Sequence, residues 1–446
     1  MASSAQAAVP RRSWAARFQR RQRLKGSLWM IPLACAVAGA PLAELTAVIE
    51  AQVDLPAGWT YSEATASSVL SAIVGAMVGL TGFVVAFGVL VVQMATQTLS
   101  PRFMRLWYRD GLQKAALGTF VGTLTFALAL LRRVGPDSVP DIGVTVSGVA
   151  VAASVVLFLA YLDRFIHRVR PVEVAWRVAD AGAEVFLAMR PSAPSTDAPG
   201  PHVGAAPSLE VRAGGAGAIQ AIDKEGLLAT AIRHDCLLVL PHAVGDIIPH
   251  GDVVLQAYGP APPPAERLRG LFVIGEERTI EQDPAFALRI LVDIAIRALS
   301  PAVNDPTTTV QVLGAIEDLL ILIGESDLRG RGELRDDDGT LRVVVETRSW
   351  EDLLALALTE IREYGATATQ VTRRTHALLD RLEARVRPEH RAAVADQAAA
   401  LDAALERRVR DPSARAFAGR ADPQGIGGSS GWDDARPASN RAALGA

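Results

Sequence analysis

A run of 27 residues without a single charge, Val69 to Ala95, constrains this chain more than any other feature. As a helix rising about 1.5 Å per residue it reaches roughly 40 Å, enough to cross a bilayer with some tilt. A helix of that length in a water-soluble fold needs a polar face, and this run has none. A second uncharged run, Ala115 to Leu131, lies close to the minimum spanning length. Together they predict a polytopic membrane protein.

Two more apolar runs complete the set. Leu28 to Val48 contains Pro32, Pro41 and one acid, Glu44. An acid within a span is a functional candidate by default. Glu44 lies near the exit end, where a carboxylate snorkelling to the outer surface is the plainer reading. Ala36-Val37-Ala38 resembles a signal-peptidase site, but the apolar run continues past it, which favours an uncleaved anchor. The fourth run is Ile142 to Leu162.

Charge sets the orientation. Met1 to Ser27 holds seven basic residues and no acid, whereas the loop from Glu50 to Ser68 holds three acids and no base. Arg102, Arg105, Arg109 and Lys114 follow the Val69–Ala95 run, and Arg164, His167, Arg168 and Arg170 follow the Ile142–Leu162 run. Basic loops face the cytoplasm, so the expected topology is four spans within residues 28–163 with both termini inside. Arg132 and Arg133 fall on the outer side and break the pattern.

Beyond the spans the chain predicts a cytoplasmic α+β region. An amphipathic helix over Val172 to Met189 and a Pro/Ser/Ala-rich linker occupy residues 164–208. Short strands punctuated by Gly245-Asp246 and Gly251-Asp252 suggest a small β-barrel or sandwich over 209–275. Helices over Pro284 to Leu299, Pro306 to Gly324, Trp350 to Tyr364, Ala366 to Arg387 and Glu389 to Arg410 make a helical module of 276–410. One strand, Leu341 to Glu346, follows the Asp338-Gly339 turn. Residues 411–446 lack periodicity and are expected to be disordered.

Composition removes several classes of function. The net charge of −3 gives no basic excess for nucleic acid. Two cysteines, Cys35 and Cys236, cannot build a disulfide or zinc framework. His234, His242 and His250 recur every eight residues but lack a carboxylate or cysteine at ligand spacing. Lys224 after Asp223 is followed by a helical segment rather than the hairpin that carries a lipoyl group. There is no phosphate-binding loop, dinucleotide fingerprint, nucleophile elbow or zinc-protease motif. No cofactor, metal or enzymatic activity is expected.

Two constellations remain. Small residues recur at helical spacing: Ser71, Gly75 and Gly79 in the second span, Gly118 and Gly122 in the third, Gly148 and Ala152 in the fourth. Such faces let helix backbones approach closely, within one bundle or between copies, and can also line a pore. Gln93, Thr96, Gln97 and Thr98 add a polar cluster at the inner end of the second span. The other constellation is Arg289, Asp293 and Arg297 at i, i+4 and i+8 on an otherwise apolar helix, next to Asn304 and Asp305. It reads as a structural ion-pair network or as an anion or ligand site. Asp283-Pro284 and Asp305-Pro306 have the form of an N-cap aspartate with proline at the first helical position.

The segments LSAIVGAMVGLTGFVVAFGVLVVQMATQTLSPRFMR, LGTFVGTLTFALALLR, GAIQAID and IGEERTIEQDPAFALRILVDIAIRALSPAVNDPTTT together resemble the bacterial membrane proteins grouped as domain-of-unknown-function family 2254. The likeness runs from about Leu28 to Leu405; the Gly217-Ala218-Ile219 turn and the tail depart from it. It implies a bacterial inner-membrane protein with a cytoplasmic C-terminal half, and it brings no established activity. The expectation is a homo-oligomeric channel or transport-type protein regulated by its cytoplasmic part. The alternative is a membrane-tethered sensor or scaffold whose cytoplasmic half binds a ligand or protein.

Overall fold

The computed structural model describes residues 13–53, 60–98, 110–136, 138–168, 170–189 and 206–428. The chain forms two compact units. One is Arg21–Glu173; the other joins Met1–Arg20 to Val174–Ala446.

The first unit contains the apolar helices. Following α1 (Trp14–Gly26), a helix within the basic N-terminal segment, come α2 (Met30–Glu50), α3 (Glu63–Thr98), α4 (Gly111–Leu131) and α5 (Asp141–Arg168). Helix α4 is the hub, packing against α2, α3 and α5. The common core includes Leu70, Met77 and Val84 of α3 with Phe120, Phe126 and Leu130 of α4. The outward surface carries the residues lipid wants: Val78, Val85, Val149, Val156 and Leu159 are all more than half exposed.

The N-terminal segment and the C-terminal half belong to the same unit. The Ala15 amide donates to the Gly270 carbonyl at 3.1 Å, and Gly270 lies against Ser13. This unit starts with α6 (Pro171–Met189), whose buried face is Val174, Ala175, Val178, Ala179, Gly182 and Phe186. The i, i+4 spacing of that face is the amphipathic pattern of the sequence.

Strands β1 (Leu209–Arg212) and β2 (Gly217–Ile222) are followed by α7 (Lys224–Arg233), β3 (Leu237–Leu240), β4 (Ile247–Ile248) and β5 (Val253–Tyr258). Then come α8 (Ala265–Arg269), β6 (Phe272–Gly275), α9 (Pro284–Ala298), α10 (Pro306–Gly324), β7 (Arg329–Arg335) and β8 (Leu341–Ser349). Helices α11 (Trp350–Gly365), α12 (Thr369–Arg385), α13 (Arg391–Arg408) and α14 (Pro412–Ala418) complete the described elements. The strands form two sheets, β1-β5-β3-β8-β7 and β4-β2-β6. All pairings are antiparallel except β3 with β8. Both sheets and α7 contribute to one core that includes Ile219, Leu227, Leu238, Leu255 and Val343.

Two expectations are corrected. The β-rich region does not end at residue 275, because β8 and β7 extend its sheet from within the supposed helical module. Strand β7, RGRGELR, has no apolar alternation to betray it; it is an edge strand on which Arg331 and Arg335 are exposed. The tail does not lose order at Asp411. Arg373, 2 % exposed, donates to the carbonyls of Arg420, Gly427 and Gly428 and stacks over Phe417 at 4.4 Å. Asp422 accepts from the amides of Gln424, Gly425 and Gly427. Segment 411–428 is thus wrapped around a buried cation, which needs no periodic pattern; residues 429–446 lie outside the described part.

Among the described residues, five helices are long and apolar enough to cross a membrane: α2, α3, α4, α5 and α10. They differ in where their apolar surface goes. For α10, 61 % of the most apolar stretch is buried within the protein, against 17, 22, 44 and 22 % for α2 to α5. Helix α10 packs with α9, α11 and α12 and carries a buried acid, Glu317.

Candidate functional site

The small residues singled out from the sequence fall on two different surfaces. Gly118 and Gly122 of α4 face α2, where a β-carbon at either would lie 3.1 Å from Cys35 Sγ or 3.3 Å from Cys35 Cβ. From the α2 side, a β-carbon on Gly39 would overlap the Thr125 hydroxyl and crowd the Phe126 amide at 2.8 Å. These glycines let α2 and α4 touch at backbone distance, so their role is packing inside one chain.

Helix α3 is built the other way round. One face of it is buried through Leu70, Ile73, Met77 and Val84, while Val78, Phe83, Val85, Val89 and Leu90 are exposed. Ser71, Gly75 and Gly79 are exposed, as are Ser68, Gly82 and Ala86. Successive members of that row are three or four positions apart, a single face of the helix. A β-carbon on Gly75, Gly79 or Gly82 would meet nothing within 4 Å. Gly148 and Ala152 of α5 are exposed likewise. Among the described residues nothing packs against the glycines of this face. Gln93 is exposed, whereas the side chains of Thr96, Gln97 and Thr98 and the basic residues Arg102, Arg105 and Arg109 lie outside the described part.

The charges at the opposite end of the apolar helices bind one another. Arg133 forms an ion pair with Glu44, which joins the intramembrane acid to the arginine that broke the charge pattern. Glu50 accepts from the Asp141 amide at 2.7 Å, and Asp141 accepts from the Tyr61 amide at 2.8 Å. A carboxylate with an arginine or amide partner is an end-fastening of the bundle.

The charged stripe on α9 is mostly engaged by its neighbours. Arg289 bonds Asp293 at 2.7 Å and forks onto both oxygens of Glu360 on α11, at 2.5 and 2.9 Å. The Glu360 bond, then Asp293, raises the Arg289 pKa and fixes its charge. Glu360 was missed from the sequence, since nothing local links positions 71 apart. Arg297 is exposed. Asn304 takes a left-handed backbone (φ 50°), a conformation asparagine tolerates better than most residues. Asp305 caps α10, accepting from the Thr308 amide at 3.0 Å and the Thr308 hydroxyl at 2.5 Å. Asp283 caps α9 in the same manner. Both Asp-Pro pairs therefore serve as helix starts.

A membrane-helix unit followed by a mixed two-sheet and helical unit is now in view, and the comparisons agree with it. The profile of a family described as predicted membrane proteins (DUF2254) matches residues 25–381. The chain belongs to that family. An uncharacterized protein of Mycobacterium tuberculosis strain H37Rv is 29 % identical over 422 residues, covering 88 % of this chain and 79 % of that protein. An uncharacterized protein of Mycobacterium bovis matches with the same identity and coverage. No solved structure matches the chain.

Proposed function

We propose that this protein is a homo-oligomeric transport-type protein of the bacterial inner membrane, assembled through α3 and regulated by its cytoplasmic half. The observation that carries this reading is the exposed Ser71-Gly75-Gly79 face. Lipid offers no hydrophobic drive for helix association, so contact comes from close packing, and small residues are where helices meet. A row of small residues left outward between exposed valines and Phe83 is a groove into which a copy of the helix can pack closely.

Four spans with both ends inside fit this arrangement better than five. The segments before and after the apolar helices belong to one compact unit, in which the Ala15 amide bonds the Gly270 carbonyl, and this supports an even number of crossings. The burial of α10 within the other unit favours counting it as a core helix.

Gly79→Leu tests the reading. Because a side chain there meets nothing in the protomer, the variant should fold as wild type. In detergent and in liposomes it should lose the oligomer and the ion or small-solute flux of the wild-type protein. An unchanged oligomer with unchanged flux rejects the assembly face, and absence of flux in the wild type under any gradient rejects transport. A second reading, a membrane-tethered sensor, draws on a cavity in the C-terminal half.

A further inference from the structure

That cavity, of about 160 Å³, opens where α6, the β2–α7 junction, the start of α9 and strands β7 and β8 meet. Phe186, Ile222, Val244 and Leu353 supply apolar walls, and Lys224 supplies an ammonium group. The remaining charges around it are matched. Asp283 holds Arg278 at 3.0 Å, Glu333 holds Arg335 at 2.8 Å, Arg331 lies 3.5 Å from Glu346, and Arg348 pairs with Asp246. Asp327 also has a partner. Lys224 is different: among the described residues, no side chain or carbonyl bonds its ammonium.

The mouth is rigid. Gly245 takes a left-handed backbone (φ 95°), and a β-carbon there would overlap the Asp283 carboxylate and lie 2.6 Å from Arg278. Asp283 in turn caps α9 through the Phe286 amide. Gln282 closes another side, exchanging hydrogen bonds with the Ile222 amide and carbonyl at 2.9 and 3.1 Å. The walls therefore stand preformed, as small-molecule sites usually do.

We infer that this cavity binds a small apolar carboxylate of about the size of benzoate, its ring or branched body between Phe186 and Leu353 and its carboxylate on Lys224. Size sets the body, since an apolar cavity near 150 Å³ takes a benzene-sized molecule. Charge sets the head group, since Lys224 is the lining charge without a partner among the described residues. A half-buried ammonium carries a desolvation cost that a bound carboxylate offsets by a charge-assisted hydrogen bond. Burial indeed lowers the Lys224 pKa, with Glu225 opposing it. Binding at this site is independent of what the membrane helices do, so its failure leaves the transport reading standing.

The experiment is titration calorimetry of full-length protein in detergent with benzoate, with neutral benzamide and cationic benzylamine as controls. Benzoate should bind, benzylamine should not, and Lys224→Met should weaken benzoate by about tenfold or more while leaving benzamide unchanged. Lys224→Arg should retain binding, and the melting temperature of each variant establishes that it is folded. Absence of benzoate binding to the wild type overturns the inference. So does equal binding of benzoate and benzamide, or equal benzoate binding by wild type and a folded Lys224→Met.

Discussion

Glu317 sits mid-way along α10 with 5 % of its side chain exposed, and two guanidiniums converge on it. Arg374, 8 % exposed, takes one carboxylate oxygen; Arg381, 46 % exposed, takes the other at 2.8 Å. Glu317→Gln keeps the shape and removes the charge, which leaves Arg374 buried with no anion. Breaking a buried pair at one partner costs about 3–5 kcal/mol, because the surviving charge has lost its compensation. Arg374 has little reserve, since its other terminal nitrogen, Nη1, is buried without an acceptor among the described residues. Arg381 is half in water and keeps its bond to the Pro423 carbonyl, so it adds little to the loss. For a folding unit of this size the melting temperature should drop by roughly 6–20 °C. The double variant Glu317→Leu with Arg374→Met replaces the pair by apolar volume and should recover most of that loss. Thermal unfolding of the full-length protein in detergent, followed by the fluorescence of buried Trp350, reads both. A single variant that loses less than about 1 kcal/mol, or a double variant as unstable as the sum of the two singles, refutes the assignment of Glu317 as the charge centre of the helical core.

Other outcomes follow from the same geometry. Arg373→Met should free residues 411–428 from their three carbonyl contacts, so limited proteolysis should cut there in the variant and spare the wild type. Gly39→Leu should disrupt the α2–α4 contact and lower the yield of folded membrane protein, whereas Gly75→Leu, with open space around it, should not. Glu44→Gln should shift stability by less than about 1 kcal/mol, because both partners of its ion pair are partly in contact with solvent; a larger loss in a melting experiment would contradict that. Lys224 should also give a pH signature. Its folded pKa lies below its ordinary value of 10.5, so between the two values the unfolded chain holds more protons and stability rises with pH. Lys224→Met should remove that slope and be more stable than wild type at neutral pH; denaturant titrations at neutral and alkaline pH that keep the slope would exclude Lys224 as its source.

Much of this protein is written locally and can be read without a structure. An uncharged run longer than a bilayer is thick leaves its backbone one way to satisfy its hydrogen bonds, so α2 to α5 follow from the sequence alone. Asp283-Pro284 and Asp305-Pro306 start helices because an aspartate acceptor and a proline lacking an amide hydrogen suit the first helical turn wherever it lies. Period and turn chemistry likewise place β3, β4 and α10 at their observed limits. What the sequence could not decide is where each surface goes. Ser71-Gly75-Gly79 and Gly118-Gly122 have the same spacing, yet one row lies open and the other is pressed against Cys35, because only packing assigns a face its neighbour. Arg289 needed Glu360, Glu44 needed Arg133, and Arg373 needed the carbonyls of 420, 427 and 428; all are partners brought together by tertiary contacts. The same holds for the cavity at Lys224, whose walls come from helices and strands far apart in the chain and whose one charge unmatched among the described residues is visible only once the others have been paired.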